Sequence, residues 1–203
     1  VLSHFGVTSG TYTKPDGLQS IKVTMIAGGG AGGAASGGGA GAGAGSGGGA
    51  GAFAITHWLA SELPSSVSFS VGIGSTSTSL SSNPVRGGDT TFYDVVLNGG
   101  SGGGTDLLRQ NTVGKGGLNT PGGAVTSETS TGTRIVSNTG SRGAIGLCFV
   151  TTSVGGQGAS TYFGGGGGGA QNGSNGHWST THGTGGGGAA EASTNGRFGG
   201  KGG

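Results

Sequence analysis

The sequence predicts an all-β chain whose strands feed a bundle of polyglycine II helices joined by exposed loops, with little or no α-helix. Three observations predict it. Apolar and polar residues alternate in several short segments, no stretch carries a helical period, and tracts of Gly, Ala and Ser recur between the alternating segments. Alternation of period two marks half-buried strands, because successive side chains point to opposite faces. The chain has 57 glycines in 203 residues, a composition that by itself points to disorder. Disordered chains, however, carry many charges and lack aliphatic alternation. Here only 8% of residues are charged.

Taken in order, residues 20–27 set Ile21, Val23 and Met25 on one face and Ser20, Lys22 and Thr24 on the other. Residues 52–59 carry Phe53, Ile55 and Leu59 on one side, and Trp58 falls inside the same pattern, which makes it scaffold. Residues 59–63 suffice for one helical turn at most. Residues 66–73 alternate most cleanly, with Val67, Phe69, Val71 and Ile73 facing one way. Residues 90–97 and 144–152 are rich in β-branched and aromatic residues and read as strands, with 133–137 a weaker one. Residues 1–105 therefore read as a small β-sandwich-like, glycine-rich domain. Residues 106–203 read as loops on a polyglycine scaffold, either a second unit or continuous with the first.

The glycine tracts need a physical reason. Ordering a glycine backbone costs more entropy than ordering any other residue, and glycine buries no side chain in return. What remains is backbone hydrogen bonding between chains that approach very closely. An extended left-handed helix of three residues per turn points its N–H and C=O groups outward. Several such helices side by side can bond to one another, and only Gly with occasional Ala fits the spacing. Tracts at 28–51, 99–104, 164–169, 185–188 and 199–203 supply the repetition such a bundle needs, in the second half at least. The first contains the silk-like Gly41-Ala42-Gly43-Ala44-Gly45-Ser46, but glycine does not recur strictly at every third residue, which excludes collagen.

Several function classes are excluded on the same grounds. A net charge of +2 without a block of like charges gives no nucleic-acid footprint. The lone Cys148 cannot build a disulfide framework and reads as a buried thiol. No apolar run is long enough to span a bilayer, so the chain is not expected to be membrane-embedded. It opens at Val1 rather than Met, which reads as a processed product or a fragment. Gly28-Gly29-Gly30-Ala31-Gly32-Gly33 matches a dinucleotide fingerprint in form, but no helix follows it. Gly99-Gly100-Ser101-Gly102-Gly103 likewise lacks the strand-to-helix elbow that activates a serine. His4, His57, His177 and His182 have no cysteine or carboxylate cluster to complete a metal site. The acidic residues are scattered, so no carboxylate pair stands out for glycoside hydrolysis. The expectation is a non-enzymatic chain with no cofactor and no metal.

The run Phe5-Gly6-Val7-Thr8-Ser9-Gly10-Thr11-Tyr12-Thr13-Lys14-Pro15-Asp16-Gly17 leads into Ile21-Lys22-Val23-Thr24-Met25-Ile26 and then Gly28-Gly29-Gly30. This resembles the opening of the glycine-rich domain near the distal ends of bacteriophage tail fibres, where an aromatic-Thr-x-Pro-x-Gly turn precedes a strand that runs into polyglycine. Val71-Gly72-Ile73-Gly74, Asp89-Thr90-Thr91-Phe92 and residues 99–104 follow the same order of features. The second half, with glycine tracts alternating with varied loops, is similar to the receptor-binding adhesins of T-even-type phages. Residues 106–153 are long for that family, and a closing strand before Gly203 is missing. The resemblance implies an extracellular adhesin at the distal end of a virion's tail fibre. Its partners would be a host outer-membrane protein or surface glycan and the rest of the fibre. It would be a homotrimer, or a monomer capping a trimeric fibre.

Residues 171–184 concentrate an indole, two imidazoles and several amides between two glycine tracts. Recognition surfaces favour this pairing of rigid aromatic anchors with adaptable polar groups. Trp178, His177, His182, Asn175 and Asn172, joined by Tyr162 and Phe163, are the expected receptor contacts. Trp178 has a second reading, as a cap packed on the edge of the glycine bundle. Residues 134–142, with Asn138 between two arginines, form another candidate loop. Silk-like structural and ice-binding roles are the alternatives. The first requires regular repeats, and the second a flat face of evenly spaced Thr or Ala.

Overall fold

Ile21, Val23 and Met25 alternate with Ser20, Lys22 and Thr24, and in the computed structural model this segment is a strand with the first set turned inward and the second exposed. The structure describes residues 9–36, 42–76, 85–107, 122–127, 131–149, 152–191 and 196–203. The early strands are β1 (Ser9–Thr13), β2 (Ser20–Ile26), β3 (Ala35–Ser36), β4 (Gly43–Ala44), β5 (Phe53–Leu59), β6 (Ser66–Ser70), β7 (Thr90–Phe92) and β8 (Val95–Leu97). They are followed by β9 (Asp106–Leu107), β10 (Val125–Ser127), β11 (Thr133–Asn138), β12 (Leu147–Cys148), β13 (Ser153–Val154), β14 (Ala190–Glu191) and β15 (Gly196–Arg197). A 3-10 turn at Ala60–Glu62 joins β5 to β6. The chain is all-β, as the alternation predicts. Among the described residues no helix is long and apolar enough to cross a membrane.

Two sheets make a sandwich. One runs β1-β6-β7-β8-β10 and the other β11-β5-β2. Between them lie Met25, Ala54, Trp58, Leu63, Val67, Phe92, Val95 and Leu97. Trp58 is fully buried, with its ring 5.3 Å from that of Phe92. Its scaffold role follows from burying a large aromatic side chain at the centre of a small core.

Three segments differ from expectation. In β5 the side turned to the core is Ala54, Thr56 and Trp58, while Leu59 is exposed and Phe53 is buried against a different part of the chain. Residues 90–97 are a hairpin rather than one strand: β7 and β8 pair antiparallel about Tyr93 and Asp94. Tyr93 takes φ 55°, a left-handed backbone uncommon outside glycine. The β-branched and aromatic composition that marks 90–97 as a strand is the same on both arms, so it does not show the turn between them. Likewise β6 ends at Ser70, so Ile73 is 58% exposed, and among the described residues of 144–152 only Leu147 and Cys148 form a strand. Cys148 is a buried thiol, as expected. Phe5 to Thr8 and His4 lie outside the described residues.

The glycine tracts form the second half of the architecture, and their bonds repeat every third residue. The N–H of Gly28 donates to Gly88, that of Gly29 to Gly203 and that of Gly30 to Gly49. The next three return to the same neighbours in the same order: Ala31 to Val85, Gly32 to Gly200 and Gly33 to Ser46. Carbonyls of this tract accept from Gly100 and Gly103, from Ser75, and from Gly186 and Ala189. The tract is thus bonded on all sides. Residues 45–51 rotate in the same way among 183–189, 101–104 and 141–144, and residues 185–190 among 156–159, 30–33 and 174–177. A three-residue rotation is that of the polyglycine II helix. The lattice draws on tracts from both halves of the chain, including the first.

Side chains are excluded where helices press together. A Cβ on Gly32 would fall on the Gly187 carbonyl, and one on Gly188 on the Gly45 carbonyl. The few positions with room hold Ala31, Ala50 and Ala189, all fully buried. Along the rim helix of residues 139–146, glycine is kept only on the inward row. Gly140, Gly143 and Gly146 each face a carbonyl of residues 44–51, while Ser141, Arg142, Ala144 and Ile145 between them face outward. Residues 134–142 are therefore the end of β11 and a lattice helix rather than a loop.

Gly188→Ala should lower the unfolding free energy by about 3 kcal/mol or more, because the carbonyl it meets is backbone and cannot step aside. Gly165→Ala, where a Cβ meets nothing within 4 Å, should be neutral or add up to about 1 kcal/mol. Urea denaturation of both variants checks this. Equal effects would contradict a lattice set by inward-row contacts.

Candidate functional site

Lattice helices reverse direction at tight turns, and in the second half these fall at residues 161–164, 171–174 and 181–184. Gly173 (φ 75°) and Gly183 (φ 72°) occupy the third position of their turns, where a left-handed backbone is needed. Each turn follows one lattice helix, so the first and third lie at the same end and the second at the other. The shared end is held by Thr161 Oγ1 donating to the His182 carbonyl (3.3 Å).

At that end the first turn packs against the start of β5 and forms a shoulder there. Phe53, where the lattice becomes β5, is 6% exposed because two rings of the first turn cover it. Tyr162 stacks parallel on it, with centroids 5.8 Å apart and planes at 7°, and Phe163 meets it edge-on at 5.3 Å. Tyr162 and Phe163 also meet at right angles, 5.5 Å apart. Phe163 is 47% and Tyr162 85% exposed, so the phenol is offered to solvent by a built aromatic support.

Next to the trio lies a cleft of about 340 Å³. Gly51, Phe53 and Gly140 line it. Its walls carry Asn138, Thr139, Ser141 and Arg142 from the end of β11 and the following helix, and Ser160, Thr161 and Tyr162 from the turn. Ser141 Oγ donates to the Ser160 carbonyl and ties the two walls together. Among the described residues no carboxylate lines the cleft.

The other expected contacts lie elsewhere. Trp178 is 65% exposed on the side of a peripheral helix, with Lys201 Nζ 4.9 Å from its ring centre. His177 is exposed beside it, and its backbone bonds to Gly168 and Gly187. His182 is exposed at the shoulder. Asn172 and Asn175 have internal work at or toward the opposite end. Asn172 Oδ1 accepts from the Ser153 N–H and, at 3.3 Å, from its hydroxyl, and Asn175 Oδ1 accepts from the Phe198 N–H at 2.9 Å. Near them the buried Glu191 carboxylate pairs with Arg197 Nε at 2.7 Å. The structure thus gathers Tyr162, Phe163 and His182 at one end, and adds Phe53, Asn138 and Arg142, which lie far from them in sequence. Among the described residues no three metal-ligating side chains converge.

Asn172→Ala and Asn175→Ala should each cost about 1 kcal/mol through a lost backbone cap. Trp178→Ala, removing an exposed cation–π pair, should cost no more than about 1 kcal/mol. Urea midpoints at constant m-value read both, and a large loss at Trp178 would favour its role as a lattice cap.

A family model described as a glycine-rich domain matches residues 6–203. No curated protein matches the chain.

Proposed function

The chain belongs to the glycine-rich domain family, and we propose that this member is the receptor-binding tip of a bacteriophage tail fibre, an extracellular adhesin that attaches the virion to the host surface. One observation carries the reading: the scaffold is held by backbone bonds, so side chains on turns and rim helices are free to face outward. Exposed aromatics on such a frame lose little conformational freedom when they bind. The opening segment adds support. Tyr12-Thr13-Lys14-Pro15-Asp16-Gly17 ends in a turn closed by the Leu18 N–H on the Pro15 carbonyl, with Gly17 at φ 77°. β2 then runs directly into the first glycine helix, the order found in the fibre-tip domains that the sequence resembles.

The role is binding rather than catalysis. Its target is an outer-membrane protein or a surface glycan, contacted through the shoulder and the Trp178 side. Each tip binds modestly, and several tips on one particle raise avidity through effective concentration. The chain is part of a homotrimer or caps a trimeric fibre as a monomer.

Fluorescently labelled chain should bind saturably to intact cells of at least one strain in a panel of Gram-negative bacteria. A Tyr162→Ala/Trp178→Ala double variant should bind at least tenfold less. Absence of saturable binding throughout the panel, or full binding by the double variant, would overturn this assignment in its function or its residues respectively.

A further inference from the structure

We infer that the cleft beside Tyr162 is a saccharide site that takes a sugar bearing a carboxylate. The inference rests on the receptor-binding role proposed above and names the chemistry that one part of that surface recognises.

The apolar part of the site is a flat ring rather than a pocket. Tyr162 lies parallel on Phe53 and is braced edge-on by Phe163, so its plane is fixed before any ligand arrives. Gly51 and Gly140 line the cleft with backbone, and among the described residues no Leu, Ile or Val lines it to make an aliphatic hole for a peptide side chain. A pyranose has the matching surface. Its axial C–H groups form a weakly positive apolar face that lies on the electron-rich face of an aromatic ring. Its hydroxyls then point sideways, toward the Asn138 amide and the Thr139 and Ser160 hydroxyls, which can each donate and accept.

Arg142 decides the charge. Among the described residues it is the only ionic side chain lining the cleft. A guanidinium meets a carboxylate in a bidentate fork, a geometry that a neutral hydroxyl cannot fill. A nucleic acid would instead require a series of cations along its phosphates. A single fork beside a single exposed ring fits one acidic monosaccharide unit within a chain.

Trigalacturonate and its carboxyl-reduced, neutral counterpart test the assignment by calorimetry and saturation-transfer NMR on the full chain. Trigalacturonate should bind, with acetate at equal concentration failing to displace it. The neutral trisaccharide should bind at least tenfold more weakly. Arg142→Gln should bind both alike at the weaker level, Tyr162→Ala should lose at least tenfold for both, and Tyr162→Phe, which keeps the ring, should stay within about threefold of the parent. Lys22→Gln, removing the same charge from the exposed side of β2, should match the parent. Equal binding of charged and neutral sugars, or no sugar binding by a parent chain that still binds intact cells, overturns the saccharide site and leaves the adhesin reading standing. A parent chain that binds neither overturns both.

Discussion

Every glycine helix in the interior needs its N–H and C=O groups satisfied by other helices, since its own residues cannot bond one another. Unpaired backbone groups in such a place would cost about 1–3 kcal/mol each. The chain meets this by bringing backbones so close that a carbonyl of one helix occupies the space where a Cβ of the next would stand, as between Gly32 and Gly187 or Gly188 and Gly45. Absence of side chains and completeness of bonding are therefore one condition. It explains why alanine appears only where a small gap remains, and why a chain with few large apolar residues can still order its interior.

The sandwich and the lattice are joined through the backbone. β2 continues into residues 27–34, residues 45–52 continue into β5, β8 into 98–104, and β11 into 139–146. At each junction the chain passes from a twofold to a threefold repeat, so side chains that alternated between two faces begin to rotate among three. The crossing is bonded from side to side: Ala27 donates to Ala52, Ala52 to Asn98, and Asn98 to Ala124. Phe53 sits on this line. It is the first residue of a strand and the last beside a glycine helix, which is how it comes to support Tyr162 on the shoulder.

The sequence made much of this legible. Alternation located β2, β5, β6 and β11, and the recurrence of glycine tracts pointed to polyglycine helices bonded through their backbones. It failed where the period changes. Residues 139–146 carry glycine at every third position on the inward side, at Gly140, Gly143 and Gly146, but β-branched and apolar neighbours made the later part look like a strand. The hairpin at Tyr93 was hidden because its turn contains neither Gly nor Pro. At the site, exposed aromatics next to a glycine tract were visible as Tyr162 and Phe163, while Phe53, Asn138 and Arg142 were not. Their proximity to Tyr162 is set by which lattice helices are neighbours, and pure glycine tracts carry no side chain from which that order could be read. That Asn172 and Asn175 cap backbone N–H groups was not legible either, because a cap and a contact use the same residue type.

The threefold address system also has a consequence for how such a chain can change. Adding or deleting one residue inside a glycine helix shifts the phase of everything beyond it, so that each N–H is aimed at the wrong neighbour. Three residues restore the phase. Residues added at a reversal such as 161–164 or 171–174 lie outside the count altogether. Variation in length and chemistry is thereby channelled into the reversals, while the helices between them are held in frame by their own hydrogen bonds.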